Sequence, residues 1–198
     1  DYAKAGLILE KYIKNNPESV KVLALVAGHY LKKARNLKRA KLFYVKLAGL
    51  TNKIPVSNYY KKIANFNLGY IAFINSNIKE SINYLKKALS YSPNNKKILY
   101  ILTSIFYRQK DYTKTLYYGK RLLQEVPNNR SVNAVVGRIL YMKHFMDNEK
   151  INLFETIQYL KKGKSTKTYL GMIAFALYLE LFQYDKQAKK VITYITMM

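Results

Sequence analysis

Few residues in this chain have types and spacings that could do chemistry. Gly163-Lys164-Ser165 carries the glycine, lysine and hydroxyl that close a phosphate-binding loop. Such a loop needs a second glycine five residues earlier, where Gln158 stands, and a strand before it, where the apolar spacing is helical. The triplet therefore reads as a helix cap and a basic turn. His29 and His144 lie far apart, with no nucleophile or ligand at useful spacing, and read as half-buried helix residues. The absence of cysteine excludes a disulfide scaffold, a thiol nucleophile and any thiolate metal site. The Asp and Glu residues are scattered, so no carboxylate pair offers acid–base work. The reading is a protein with no catalytic residue, no metal and no cofactor.

What the chain does have is positive charge and aromatic surface. Its 198 residues carry 35 Lys and Arg against 11 Asp and Glu, a net charge of +24, with 20 tyrosines. Lys, Asn, Ile and Tyr are amino acids of A+T-rich codons, so base composition accounts for part of this bias. Whatever its origin, the field attracts acidic partners. The apolar fraction of 49% is ample for a core. The longest apolar stretch, Tyr169 to Leu179, falls short of the roughly 20 residues that span a bilayer. It reads as core, with self-association through the C-terminal helices as the second reading.

A period of 34 residues organises the elements. Leu68-Gly69, Leu102-Thr103, Val136-Gly137 and Leu170-Gly171 recur at that interval. Ala72, Phe106, Leu140 and Ala174 follow, then Phe73, Tyr107, Tyr141 and Phe175. Ser81-Ile82 recurs as Thr115-Leu116, and Pro93-Asn94-Asn95 as Pro127-Asn128-Asn129. Within a unit, apolar positions fall at three- and four-residue spacing, which predicts two helices. Pro93 and Pro127 end their units, and the asparagines after them cap the next helix, whereas Lys161 stands where the next proline is expected. The small residues Gly69, Gly137, Gly171, Ser81 and Ala88 allow close helix approach.

The pattern resembles the tetratricopeptide repeat, most closely over Asn67 to Phe73, Ser81-Ile82, Tyr84 to Leu89 and Ser92 to Asn95. The resemblance implies an all-α fold: a right-handed α-α superhelix, or solenoid, of helix–turn–helix repeats. It is expected to form one repeat domain over 1–198. Residues 1–17 read as the second helix of a truncated repeat. The repeats 18–54, 58–95 and 96–129 follow, then divergent ones at 130–163 and 164–198. An insert of about eight residues is placed at Gly49 to Ser57. Near the C-terminus, Glu149 occupies the place of a small residue. A helix over about 149–162 is expected, with Gly163 as its C-cap, then a helix over about 166–182 and another beginning late, near Ala188. Because the pattern opens mid-unit at Asp1, the expected cytoplasmic location has export or membrane anchoring as alternatives.

The resemblance also implies where a partner sits. In such repeats the first helices line an inner groove. Here that face would carry Phe66, Tyr70 and Phe73, then Tyr100, Ser104, Tyr107 and Arg108, then Arg138, Tyr141 and Met142, with Lys21 and Lys97 at helix starts. Aromatic anchors beside arginines suit a binding surface. The carboxylate clamp of chaperone-binding members is missing: its positions carry Ala24, Gly28, Phe66, Tyr70 and Ile101. The leading expectation is a non-enzymatic protein–protein interaction scaffold holding an acidic or amphipathic segment of another protein. The alternatives are an RNA-binding helical repeat, favoured by charge and tyrosines, and a regulatory part of a larger protein.

Overall fold

The structure is a computed structural model that describes residues 2–53, 57–147, 149–181 and 197. These form ten helices and no strand: α1 (Tyr2–Asn15), α2 (Val20–Lys32), α3 (Leu37–Lys53), α4 (Asn58–Ile74), α5 (Ile78–Ser90), α6 (Lys96–Arg108), α7 (Tyr112–Glu125), α8 (Arg130–Phe145), α9 (Leu153–Gly163) and α10 (Tyr169–Leu181). Two compact units divide the chain, residues 1–98 and 99–198. The expected helix near Ala188 lies outside the described residues.

Several helix starts are held by a short polar side chain. Asn77, Asp111, Asn129 and Asn152 accept hydrogen bonds from the backbone N–H groups of Glu80, Lys114, Val132 and Glu155 at 3.0–3.3 Å. Asn36 and Asn95 cap α3 and α6 in the same way. Two of the turns inside a repeat share one geometry. Ser76 and Lys110 take left-handed φ of 58°, and the next N–H bonds back five residues, Asn77 to Ala72 and Asp111 to Phe106. Arg35 is also left-handed, at φ 50°, in a turn one residue longer, where the Asn36 N–H reaches Tyr30.

The hairpins close on paired small and large residues. A Cβ on Gly69 would lie 2.8 Å from Leu85 Cγ, and one on Gly137 would lie 2.9 Å from Leu160 Cγ. In the intervening repeat the order is reversed: Thr103 takes the first-helix place and Gly119 the second. The core of the first unit gathers Leu23, Val26, Tyr30, Phe43, Tyr44, Leu47, Leu68 and Ile71. In the second unit Phe106 stacks on Tyr118 at 5.4 Å, and Ala134, Leu160 and Ala174 join α8, α9 and α10.

Three expectations change in detail. Of the insert expected at Gly49–Ser57, residues 49–53 continue α3 and Ser57 precedes α4; α3 and α4 are each 17 residues long, against 13 for α5 and α6. Residues 54–56 of it lie outside the described residues. The second change concerns α9, which starts at Leu153, not near Glu149. The start of α9 comes seven residues later than the α6–α7 spacing predicts, because α8 is longer than α6 and the segment after it is longer too. Asn152, Glu155 and Thr156 thereby take the places of Asn77, Glu80 and Ser81. Thr156 is the missing small residue, fully buried, its hydroxyl donating to Asn152 O at 3.1 Å. Glu149 belongs to the loop, ion-paired with Lys143, while its carbonyl meets His144 Nδ1 at 3.1 Å.

Gly163 is not a left-handed cap, since no described glycine has positive φ; Lys164 is the C-cap. It stands where Ala88 stands in α5, and the Ala134 backbone packs directly against it. Glycine inside a helix normally costs about 1 kcal/mol relative to alanine. Gly49, in α3 with nothing within 4 Å of its Cβ position, obeys that rule. Gly49→Ala is therefore expected to stabilise by about 0.5–1 kcal/mol, whereas Gly163→Ala destabilises by about 1–3 kcal/mol. Chemical denaturation of the two variants checks the opposite signs.

Candidate functional site

The first unit holds a cleft of about 540 Å³ lined by Leu31 and Lys32 at the end of α2, Arg35 in the turn, Leu37 at the start of α3, and Phe66, Asn67, Tyr70 and Ile74 on α4. Phe66, Tyr70 and Ile74 are spaced four apart, so they form one stripe of the helix. The Phe66 and Tyr70 rings lie 6.4 Å apart and nearly parallel. Asn67 is oriented by donation from its Nδ2 to Ile63 O at 2.9 Å. Arg35 gains its place through the left-handed turn, where glycine would be unstrained. Neither Lys32 nor Arg35 has an ion-pair partner among the described residues. The result is an apolar and aromatic trough with two cations along its wall.

The candidate residues of the second unit pair with one another. Arg138 Nη1 donates to the Tyr107 hydroxyl at 3.0 Å, linking α8 to α6. Tyr141 donates to Glu180 Oε1 at 2.7 Å and packs its ring on Phe145. Tyr100 and Arg108 are exposed on α6, and Ser104 donates to Tyr100 O. Phe73 is half-buried and does not line the cleft. The structure thus brings Phe66 to Tyr70 and Tyr107 to Arg138, and commits the Tyr141 hydroxyl to α10. Sequence reasoning missed Leu31, Lys32, Arg35 and Leu37. The i, i+4 step from Leu31 to Arg35 was a signal, but their meeting with α4 depends on the turn.

The residues weighed for chemistry are otherwise engaged. The Ser165 N–H donates to Gly171 O at 3.0 Å, and Lys164 Nζ sits over the Tyr178 ring at 4.6 Å, so the triplet does not form a phosphate cradle. His29 Nε2 meets Tyr2 O at 2.7 Å. Among the described residues no three His, Cys, Asp or Glu side chains gather as a metal site. No described helix is long and apolar enough to cross a membrane.

The sequence matches no family model and no curated protein. Solved structures do match in shape. YrrB, described as a tetratricopeptide-repeat protein with an unusual peptide-binding site, superposes with a TM-score of 0.70. It is 17% identical, over 94% of this chain and 90% of its own. This chain has the tetratricopeptide-repeat fold. MamA shares that fold at TM-score 0.64 and 18% identity, covering 82% of this chain and 81% of its own. PilF of Pseudomonas aeruginosa shares it at 0.66 and 16%, over 96% and 81%.

Within these tetratricopeptide hairpins, burial dominates the phenols. It pushes Tyr44 up to about 12. Tyr159 is also pushed up to about 12, by burial first and then by the Glu155 carboxylate. Tyr141 is raised as well, by burial and then by its bond to Glu180. A phenol raised in the folded state stabilises fully below its unfolded value near 10, and that contribution is lost as pH climbs through the folded value. The melting temperature should therefore hold as pH approaches 10 and fall between about 10 and 12. Phenolate absorbance should show Tyr44, Tyr159 and Tyr141 among the last phenols to ionise. A single transition near 10 contradicts this assignment.

Proposed function

We propose that this protein is a non-enzymatic interaction scaffold that holds an acidic, amphipathic segment of another protein. The observation that carries the reading is the cleft of the first unit. Leu31, Leu37 and Ile74 offer apolar contact, Phe66 and Tyr70 offer rings, and Lys32 and Arg35 stand beside them with no ion pair among the described residues. A segment with aliphatic residues on one side and carboxylates at the edge matches that lining. Arg35 can grip a carboxylate through two parallel hydrogen bonds, which lysine cannot do. In the second unit, Arg138 is held by Tyr107 and keeps further N–H groups for a carboxylate. Tyr100 and Arg108 extend that candidate surface. The description of YrrB as peptide-binding supports the same class of ligand here.

The charge of +24 and the exposed Tyr70 and Tyr100 support a second reading, binding of single-stranded RNA. The two separate in one experiment. Fluorescence anisotropy would be run with peptides that alternate aliphatic and acidic residues, and with single-stranded RNA, across a salt series. The protein-partner reading expects peptide binding that Arg35→Glu weakens about 10–100-fold, as loss of a charge-assisted hydrogen-bonded pair implies. Tyr70→Ala should weaken it too, with helical circular dichroism unchanged. Sub-micromolar RNA binding that falls steeply with salt and is lost in Tyr107→Ala would contradict it.

A further inference from the structure

The outward stripe of the second helices in the first unit has no part in the cleft. Helices α1, α3 and α5 carry eleven lysines and arginines but two carboxylates, Glu10 and Glu80. Both carboxylates are engaged. Glu10 accepts from Arg39 at 2.9 Å and from the Tyr30 hydroxyl at 2.6 Å, and Glu80 accepts from Lys41 at 3.1 Å. These bonds tie α1 and α5 to α3. They leave Lys14 and Lys38 without an ion pair among the described residues. On α3 two aliphatic side chains stand out amid this charge: Leu42 is 52% exposed and Val45 is 46% exposed. Lys38, Leu42 and Val45 follow one another at i, i+4 and i+7 along α3, so they share a stripe. Leu42 borders a hollow shared with Lys14 of α1 and Lys46, and a second hollow shared with Lys38, Val45 and Asn75. On α1, Leu7, 57% exposed, lies on the stripe of Lys14.

We propose that this face, centred on Leu42 and Val45 and rimmed by Lys14, Lys38 and Lys46, rests on the anionic surface of a lipid bilayer. Aliphatic side chains ringed by lysines match the two layers of such a surface. The lysines meet the charged headgroups, and their stems reach along the surface while Leu42 and Val45 enter the acyl boundary. Each lysine near an anionic leaflet adds about fivefold in affinity, so no single residue decides the binding. Phe43, the ring that borders this face, is buried with Lys46 over it and offers no surface for a nucleic-acid base to stack on, which favours lipid over RNA here. The cleft is formed by other residues, so this inference stands apart from the peptide-binding reading.

Co-sedimentation of the full chain with two vesicle types tests it, one of phosphatidylcholine alone and one containing phosphatidylserine. Binding is expected to the second only. Lys14→Glu with Lys38→Glu should weaken it more than tenfold. Leu42→Gln with Val45→Gln should weaken it several-fold while leaving circular dichroism unchanged. A matched charge reversal elsewhere, Lys161→Glu with Lys162→Glu, should leave most of it intact. Absence of binding overturns the proposal, as does equal loss in both charge-reversed pairs, which would mark a general effect of net charge. It is also overturned if the glutamine pair binds unchanged while a single-stranded RNA competes for the same lysines.

Discussion

The contact on which the molecule depends is a close meeting of a small residue and a larger side chain inside the helix hairpins, glycine against leucine in α4–α5 and α8–α9. Gly69 against Leu85 and Gly137 against Leu160 let two helices approach until backbone and side chain touch. The intervening repeat keeps the same complementarity with the sizes exchanged, Thr103 against Gly119. Because the hairpin closes there, the first helix turns a fixed stripe away from its partner. On α4 that stripe is Phe66, Tyr70 and Ile74, which is why the cleft is lined as it is. A glycine chosen for contact also explains Gly163, which has ordinary helical φ and lies against the Ala134 backbone.

The cleft and the basic stripe are two products of one repeat geometry. The first helices and the turns supply rings and cations to the cleft. The second helices supply lysines whose few carboxylate neighbours are already bonded. Excess positive charge thus lies on both, but with different companions: stacked aromatic rings in the cleft, and aliphatic side chains on the stripe. A partner that needs a trough and a partner that needs a flat charged surface would be accommodated separately.

The fold was legible in the sequence because its determinants are local. Spacing of apolar residues, asparagine caps and proline breaks each act within a few residues, and a 34-residue period repeats them. The register of α9 was misread at Glu149 because the period was carried across an insertion. The pattern Asn152-x-x-Glu155-Thr156, matching Asn77-x-x-Glu80-Ser81, marks the true start. Phe66 and Tyr70 were legible as surface residues of a first helix. Arg35 was not, because its position comes from a left-handed turn that favours glycine and that no arginine advertises. The bonds from Arg138 to Tyr107 and from Tyr141 to Glu180 join residues 31 and 39 apart, and depend on packing that no local pattern records.

The most direct test of the hairpin contact is a double-mutant cycle on Gly69 and Leu85, read by equilibrium denaturation. Gly69→Ala alone should destabilise by about 1–3 kcal/mol, because the new methyl meets Leu85. In a Leu85→Ala background the same methyl has room, and most of that cost should vanish, giving a coupling of at least about 1 kcal/mol. Additive effects, or a stabilising Gly69→Ala in the parent, would contradict the claim that this contact sets the hairpin.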